Sequence, residues 1–159
     1  MIRDGLDWLL ASANGTPRTL VQFHDGGEGA DLYKRPPLKP EAARAALQDL
    51  LQLRAQGLAE PLPWGPYTGW TYYSESSAAK PEAALEKARK QWQGGHQSWG
   101  EGGGDAFRLT LRGRDLFDDD EVFRRFREVN ARIFRALVEG IVFDGFVDDA
   151  LADRGEATA

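Results

Sequence analysis

Residues 57–73, GLAEPLPWGPYTGWTYY, place three prolines, two tryptophans and three tyrosines in seventeen positions. Rings at this density are costly to leave in water, so the fold must cover them with its own elements, a ligand or another protein. The segments on either side supply helices for that purpose. Starting at Pro40, EAARAALQDLLQLRAQG repeats Ala43, Leu47, Leu50 and Leu53 on one face, which predicts a helix closed by Gly57. Downstream, PEAALEKARKQWQGG predicts a second helix from Pro81, with Leu85, Ala88 and Trp92 on one side and Gly94 and Gly95 at its end.

The remaining segments are shorter. DGLDWLLASA, residues 4–13, spaces Leu6, Leu9 and Leu10 as a helix, and Asn14, Gly15 and Pro17 end it. RTLVQFH, DGGEG and ADLYKR read as strand, turn and returning strand, stopped by Pro36 and Pro37. FRLTLR alternates, sending Phe107, Leu109 and Leu111 one way and Arg108, Thr110 and Arg112 the other, which predicts a half-buried strand. Residues 118–140 start with four acids and carry Phe123, Phe126, Ile133, Phe134 and Leu137 as the buried stripe of a long amphipathic helix. The expected fold is α+β, a small, mostly antiparallel sheet or hairpin flanked by about four helices. A single domain is expected over residues 1–150, with 151–159 a flexible tail.

Composition narrows the chemistry. The 159 residues contain no cysteine and two histidines, which removes disulfides, thiolate metal sites and thiol nucleophiles and leaves too few ligands for a histidine-rich metal cage. A net charge of -5 is not that of an independent nucleic-acid binder, so duplex affinity should be weak for the domain alone. The first residues form neither a signal peptide nor a membrane span, and the expected location is cytoplasmic. No cofactor is expected.

A PD-(D/E)XK nuclease needs a carboxylate two positions before a lysine, because alternate strand residues share a face and must meet one metal and one phosphate. The five lysines Lys34, Lys39, Lys80, Lys87 and Lys90 are preceded at that distance by Leu32, Pro37, Ala78, Leu85 and Ala88. None has the required acid. GEGGGD, residues 100–105, lacks the lysine and the following helix of a phosphate loop and reads as a connector. His24 and His96 have no nucleophile pattern beside them and receive no role. Arg124, Arg125, Arg127, Arg132 and Arg135 are balanced by nearby acids, whereas Arg108, Arg112 and Arg114 are candidate contacts to DNA phosphate.

The order of these pieces resembles a known family. ARAALQDLLQLRAQGLAEPLP, then ARKQWQGG, then GEGGGDAFRLTLRG, with DWLLASANGTPRTLVQF ahead of them, is similar to the C-terminal part of the gamma subunit of exodeoxyribonuclease V, RecC of the RecBCD complex. The likeness covers roughly residues 4 to 138. Its most specific signals are the GL..PLP turn after a leucine-rich helix and the run from WQGG through GEG to an aliphatic strand. The resemblance implies part of a PD-(D/E)XK-like fold that has lost its catalytic residues and serves as scaffold. The family's gamma subunit hydrolyses no ATP and cuts no DNA; it holds the two helicase subunits, helps split the duplex and takes part in scanning for the recombination signal. This chain is shorter than that subunit and lacks its helicase-like portions, as an isolated fragment or truncated product would, and residues from 139 onward have no counterpart.

The partners implied are RecB-like and RecD-like helicase subunits, the rest of a RecC-like subunit, and DNA in the context of the complex. In a scaffold the ring-rich segment would be a rigid loop, packed partly on the helix over 41–56 and partly against a neighbour. Trp64, Tyr67, Trp70, Tyr72, Phe143 and Phe146 are the candidate partner interface, with Ile141 and Val142 beside the last two, and the isolated domain is expected either to self-associate or to fold residues 141–146 back over one patch. Two alternatives remain open: a metal-dependent nuclease using Asp25, Glu28 and Asp31, and a ligand or single-stranded DNA module stacking on Trp64, Tyr67, Trp70 and Tyr72.

Overall fold

A computed structural model describes residues 2–25, 30–77, 81–95 and 98–145. Its elements in chain order are α1 (Ile2–Ala13), β1 (Leu20–Asp25), β2 (Ala30–Arg35), α2 (Pro40–Ala59), α3 (Pro66–Ser77), α4 (Pro81–Gln93), β3 (Gly94–Gly95), β4 (Ser98–Trp99), a 3-10 turn (Glu101–Gly103), α5 (Asp105–Leu111), α6 (Asp120–Phe134) and a π-helical turn (Arg135–Glu139). Strands β1 and β2 form an antiparallel pair with Phe23 opposite Leu32, and β3 and β4 form a second, two-residue ladder. The fold is α+β, as the alternation of helical and strand periods predicts.

Two of the six described helices were not among the four expected. FRLTLR is helix α5, not a strand. Phe107 and Leu111 lie four residues apart, a spacing that suits one helix face as well as one strand face. Leu109 separates the two readings: a strand would bury it with its neighbours, and it is 77% exposed. Asp105 begins the helix at its positive end, and Arg112, in the left-handed region at φ 52, closes it beside Gly113 at φ 84. The other unexpected helix is α3. The ring-rich segment is non-helical only over 60–65, and Pro66 opens a helix that carries Tyr67, Trp70, Tyr72 and Tyr73. Helix α2 also runs through Gly57 to Ala59, where the backbone N–H of Glu60 reaches Gln56 O at 2.9 Å.

The core has two parts. One gathers Ala88 and Trp92 of α4, Leu111, Leu116 and Phe117, and Val122 and Phe126 of α6. The other gathers Trp8 and Leu9 of α1, Ala43 and Ala46 of α2, and Ala136 and Leu137 of the π turn. Helix α6 and its continuation serve both, which explains the length of the stripe: Phe126 and Phe134 are fully buried and Leu137 nearly so, while Phe123 and Ile133 are half-buried. At the second core a Cβ on Gly5 would collide with Leu137 O, so α1 approaches the π turn as closely as backbone allows.

Polar groups fasten the same contacts. The buried guanidinium of Arg35 donates to Leu137 O at 2.5 Å and to Gln22 Oε1 at 3.3 Å, and it stacks over Trp8 and Tyr33. Arg132 grips Asp49 through three side-chain bonds of 2.6 to 3.3 Å and Gln56 at 3.0 Å, joining α6 to α2. No described helix is long and apolar enough to cross a membrane.

Candidate partner interface

Helix α3 is held by two residues from later in the sequence. Its free N-terminal amides at Tyr67 and Thr68 donate to the Glu101 carboxylate at 3.2 and 2.7 Å, so the GEGGGD connector caps the helix from a distance. Asn130 of α6 works from the other side. Its Oδ1 accepts from Trp64 Nε1 at 2.8 Å and its Nδ2 donates to Gly69 O at 3.0 Å, with the side chain buried. Gly69 is required there, because a Cβ would meet the Asn130 amide and the Trp64 indole.

The rings settle on α6. Trp70 and Tyr73 lie 5.4 and 5.2 Å from Phe134, Trp64 lies 6.2 Å from it, and Tyr72 lies 5.6 Å from Phe126. Packing on the helix over 41–56 was the expectation; the ring contacts instead belong to α6, whose phenylalanines repeat along the stripe facing α3. Tyr73 also donates its hydroxyl to Glu139, and burial, aided by that carboxylate, raises its pKa.

Of the six candidate interface residues, Tyr67 stands out as 71% exposed, while Trp64, Trp70 and Tyr72 are half-buried. Tyr67 and Trp70 line an open apolar groove of about 310 Å³ with Ile2, Pro66 and Phe134. Sequence reasoning missed Ile2. The signal was present, since Ile2, Leu6 and Leu10 recur every four residues as a second apolar stripe on α1, and all three are exposed. Phe143 lies away from Tyr67 in sequence and packs under Arg135 at 5.6 Å, with Ile141 and Val142 exposed beside it. Phe146 is outside the described residues, as are 151–159.

The candidate phosphate contacts do not share a strand. Arg108 is on α5, Arg112 ends it, and Arg114 follows in the next turn. Arg108 and Arg112 are exposed, but Arg114 binds Asp119 through two bonds of 2.7 Å and Glu121 through one of 2.9 Å. Arg108 and Arg114 flank an open groove of about 710 Å³ floored by Trp92, Phe107 and Leu111. Arg125 pairs with Glu60 and Arg132 with Asp49, so acids on and just after α2 neutralise two arginines of α6. Asp119 caps α6 by accepting from Glu121 N and Val122 N, and chiefly its bond to Arg114 pulls its pKa down to about 2.

Among the described residues no group of three or more histidines and acids is placed to hold a metal ion. Asp25 and Asp31 sit on strands beside the hairpin turn, but their side chains, and Glu28 altogether, are outside the described residues.

Residues 1–77 match the RecC C-terminal domain family, a span that includes the GLAEPLP turn and ends before WQGG and GEGGGD. No curated protein matches the chain.

Proposed function

With residues 1–77 matching the RecC C-terminal domain family, we propose that the chain is a non-catalytic scaffold piece of a RecBCD-type complex that processes DNA double-strand breaks in the cytoplasm. The family match carries this reading. The absence of an acid two positions before any lysine supports it, because it denies the chain the usual PD-(D/E)XK pair. In this role the groove of Ile2, Pro66, Tyr67, Trp70 and Phe134 is the surface offered to a helicase subunit or to the rest of a RecC-like subunit. An exposed tyrosine beside a half-buried tryptophan supplies large contact area at small conformational cost, as in interface anchors generally. Arg108 and Arg112 meet DNA phosphate only when the complex brings the strand to them.

Co-expression with RecB-like and RecD-like subunits tests the proposal. The chain should co-elute with them, and Tyr67→Asp should abolish co-elution without altering the melting temperature. Magnesium-dependent cleavage of linear DNA by the chain alone, or no association with either subunit, would overturn it.

A further inference from the structure

The β1–β2 hairpin buries only one face. Leu20 packs with the α1–α2 core and Gln22 bonds Asp4 of α1 at 2.8 Å, while Val21, Phe23 and Leu32 point outward at 40%, 74% and 50% exposure. Phe23 and Leu32 are direct cross-strand partners, and Val21 stands opposite exposed Lys34 on the same face, so the three apolar side chains form a patch bordered by one lysine. The register runs without a bulge over six residues of each strand, and neither strand bonds a third among the described residues. An unbulged edge of this kind, whose backbone groups bond no third strand among the described residues, fits an extended strand rather than a helix or a small ligand.

The two edges differ in charge. Strand β2 carries exposed Lys34, and lysine on an edge strand discourages pairing. Over residues 20–23 β1 reads Leu, Val, Gln, Phe, with no charge and no proline. We propose that two copies of this chain join through β1, antiparallel about a two-fold axis at Gln22, to make a continuous four-stranded sheet. That register sets Val21 beside the partner's Phe23 and Gln22 beside its twin, so the apolar side chains gather on the outer face of the joined sheet. Because the same edge is used twice, the contact closes at a dimer and cannot run on as a filament. The same pairing through β2 would bring Lys34 of each copy into the joint. The inference concerns the free protein and is independent of the proposed role in a complex.

The test is sedimentation equilibrium of the free protein across roughly 1 to 100 µM, with hydrogen exchange at both extremes. A monomer–dimer equilibrium is expected, and the β1 amides pointing away from β2 should exchange about tenfold more slowly at the high concentration. Phe23→Lys, and separately Val21→Lys, should give a monomer with an unchanged melting temperature. A monomer throughout, a dimer whose β1 amides exchange at the monomer rate, or a dimer that survives both folded variants would overturn the proposal. The wild-type exchange measurement decides the matter even if a variant fails to fold.

Discussion

Asn130 is the residue on which the ring-rich segment turns. A buried amide in the middle of an apolar stripe is tolerated only when both ends are satisfied, and here one end takes the Trp64 indole and the other the Gly69 carbonyl. Removing it strands two partners at once. Asn130→Ala is therefore expected to cost about 1 to 3 kcal/mol, more than the loss of an exposed ring. Tyr67→Ala should stay within about 0.5 kcal/mol of the parent, since a largely exposed side chain carries little folding energy. Urea unfolding of the two variants checks both values, and a Tyr67 variant as destabilised as the Asn130 variant would contradict the placement of the tyrosine at the surface. Asp119 gives the corresponding pH effect. Its carboxylate is held below the ordinary value of 3.8, at about 2, so its contribution is complete above the unfolded value and fades as pH falls from about 4 toward 2. Carboxyl resonances followed by NMR should show Asp119 titrating well below the ordinary aspartate value, and Arg114→Ala should move its midpoint upward.

Among elements, α6 decides how the others pack, and its link to α2 is the most specific polar contact. Arg132 and Asp49 keep side-chain exposures of only 11% each, so removing one leaves the other charged and poorly hydrated. Arg132→Ala should cost about 3 to 5 kcal/mol, whereas replacing both by leucine and methionine should cost much less. A double-variant cycle read by thermal melting measures the difference. Helices α1, α2, α4 and α6 and the hairpin were legible in the sequence because each carries at least two turns of apolar spacing or a turn flanked by β-formers. Helix α5 was not. In a seven-residue helix, apolar residues at 107, 109 and 111 satisfy period two, and only tertiary packing of Phe107 on Trp92 reveals that Leu109 faces water. Helix α3 was hidden by its prolines, although Pro66 stands at the position where a helix accepts one. Its distant cap, Glu101, is 34 residues beyond Tyr67 and had no local signal. For the candidate interface, Tyr67 and Trp70 were found from composition, but Ile2 joins them only through the fold.

At the scale of the molecule, charge and core sharing set the behaviour. A net charge of -5, with Arg125 and Arg132 of α6 tied to Glu60 and Asp49, predicts duplex DNA binding no tighter than about 10⁻⁴ to 10⁻⁶ M at physiological salt, and nanomolar binding by fluorescence polarisation would contradict it. Cooperativity follows from the cores. The family-matched segment, residues 1–77, does not enclose its own interior: Ala136 and Leu137 complete the cluster around Trp8, Phe134 receives Trp70 and Tyr73, and Leu137 O accepts the buried Arg35 guanidinium. Helix α6 in turn carries Val122 and Phe126 into the cluster around Trp92. Opening either cluster strips α6 of one side and exposes rings that the other cannot cover, so both should unfold together. Hydrogen exchange under mild urea tests this: the slowest amides of α1 and α2 should share one opening free energy with those of α4 and α6, and a fragment ending at Ser77 should lack a cooperative melt. Two distinct opening energies, or a fragment that melts as sharply as the full chain, would show that the matched segment is a domain by itself.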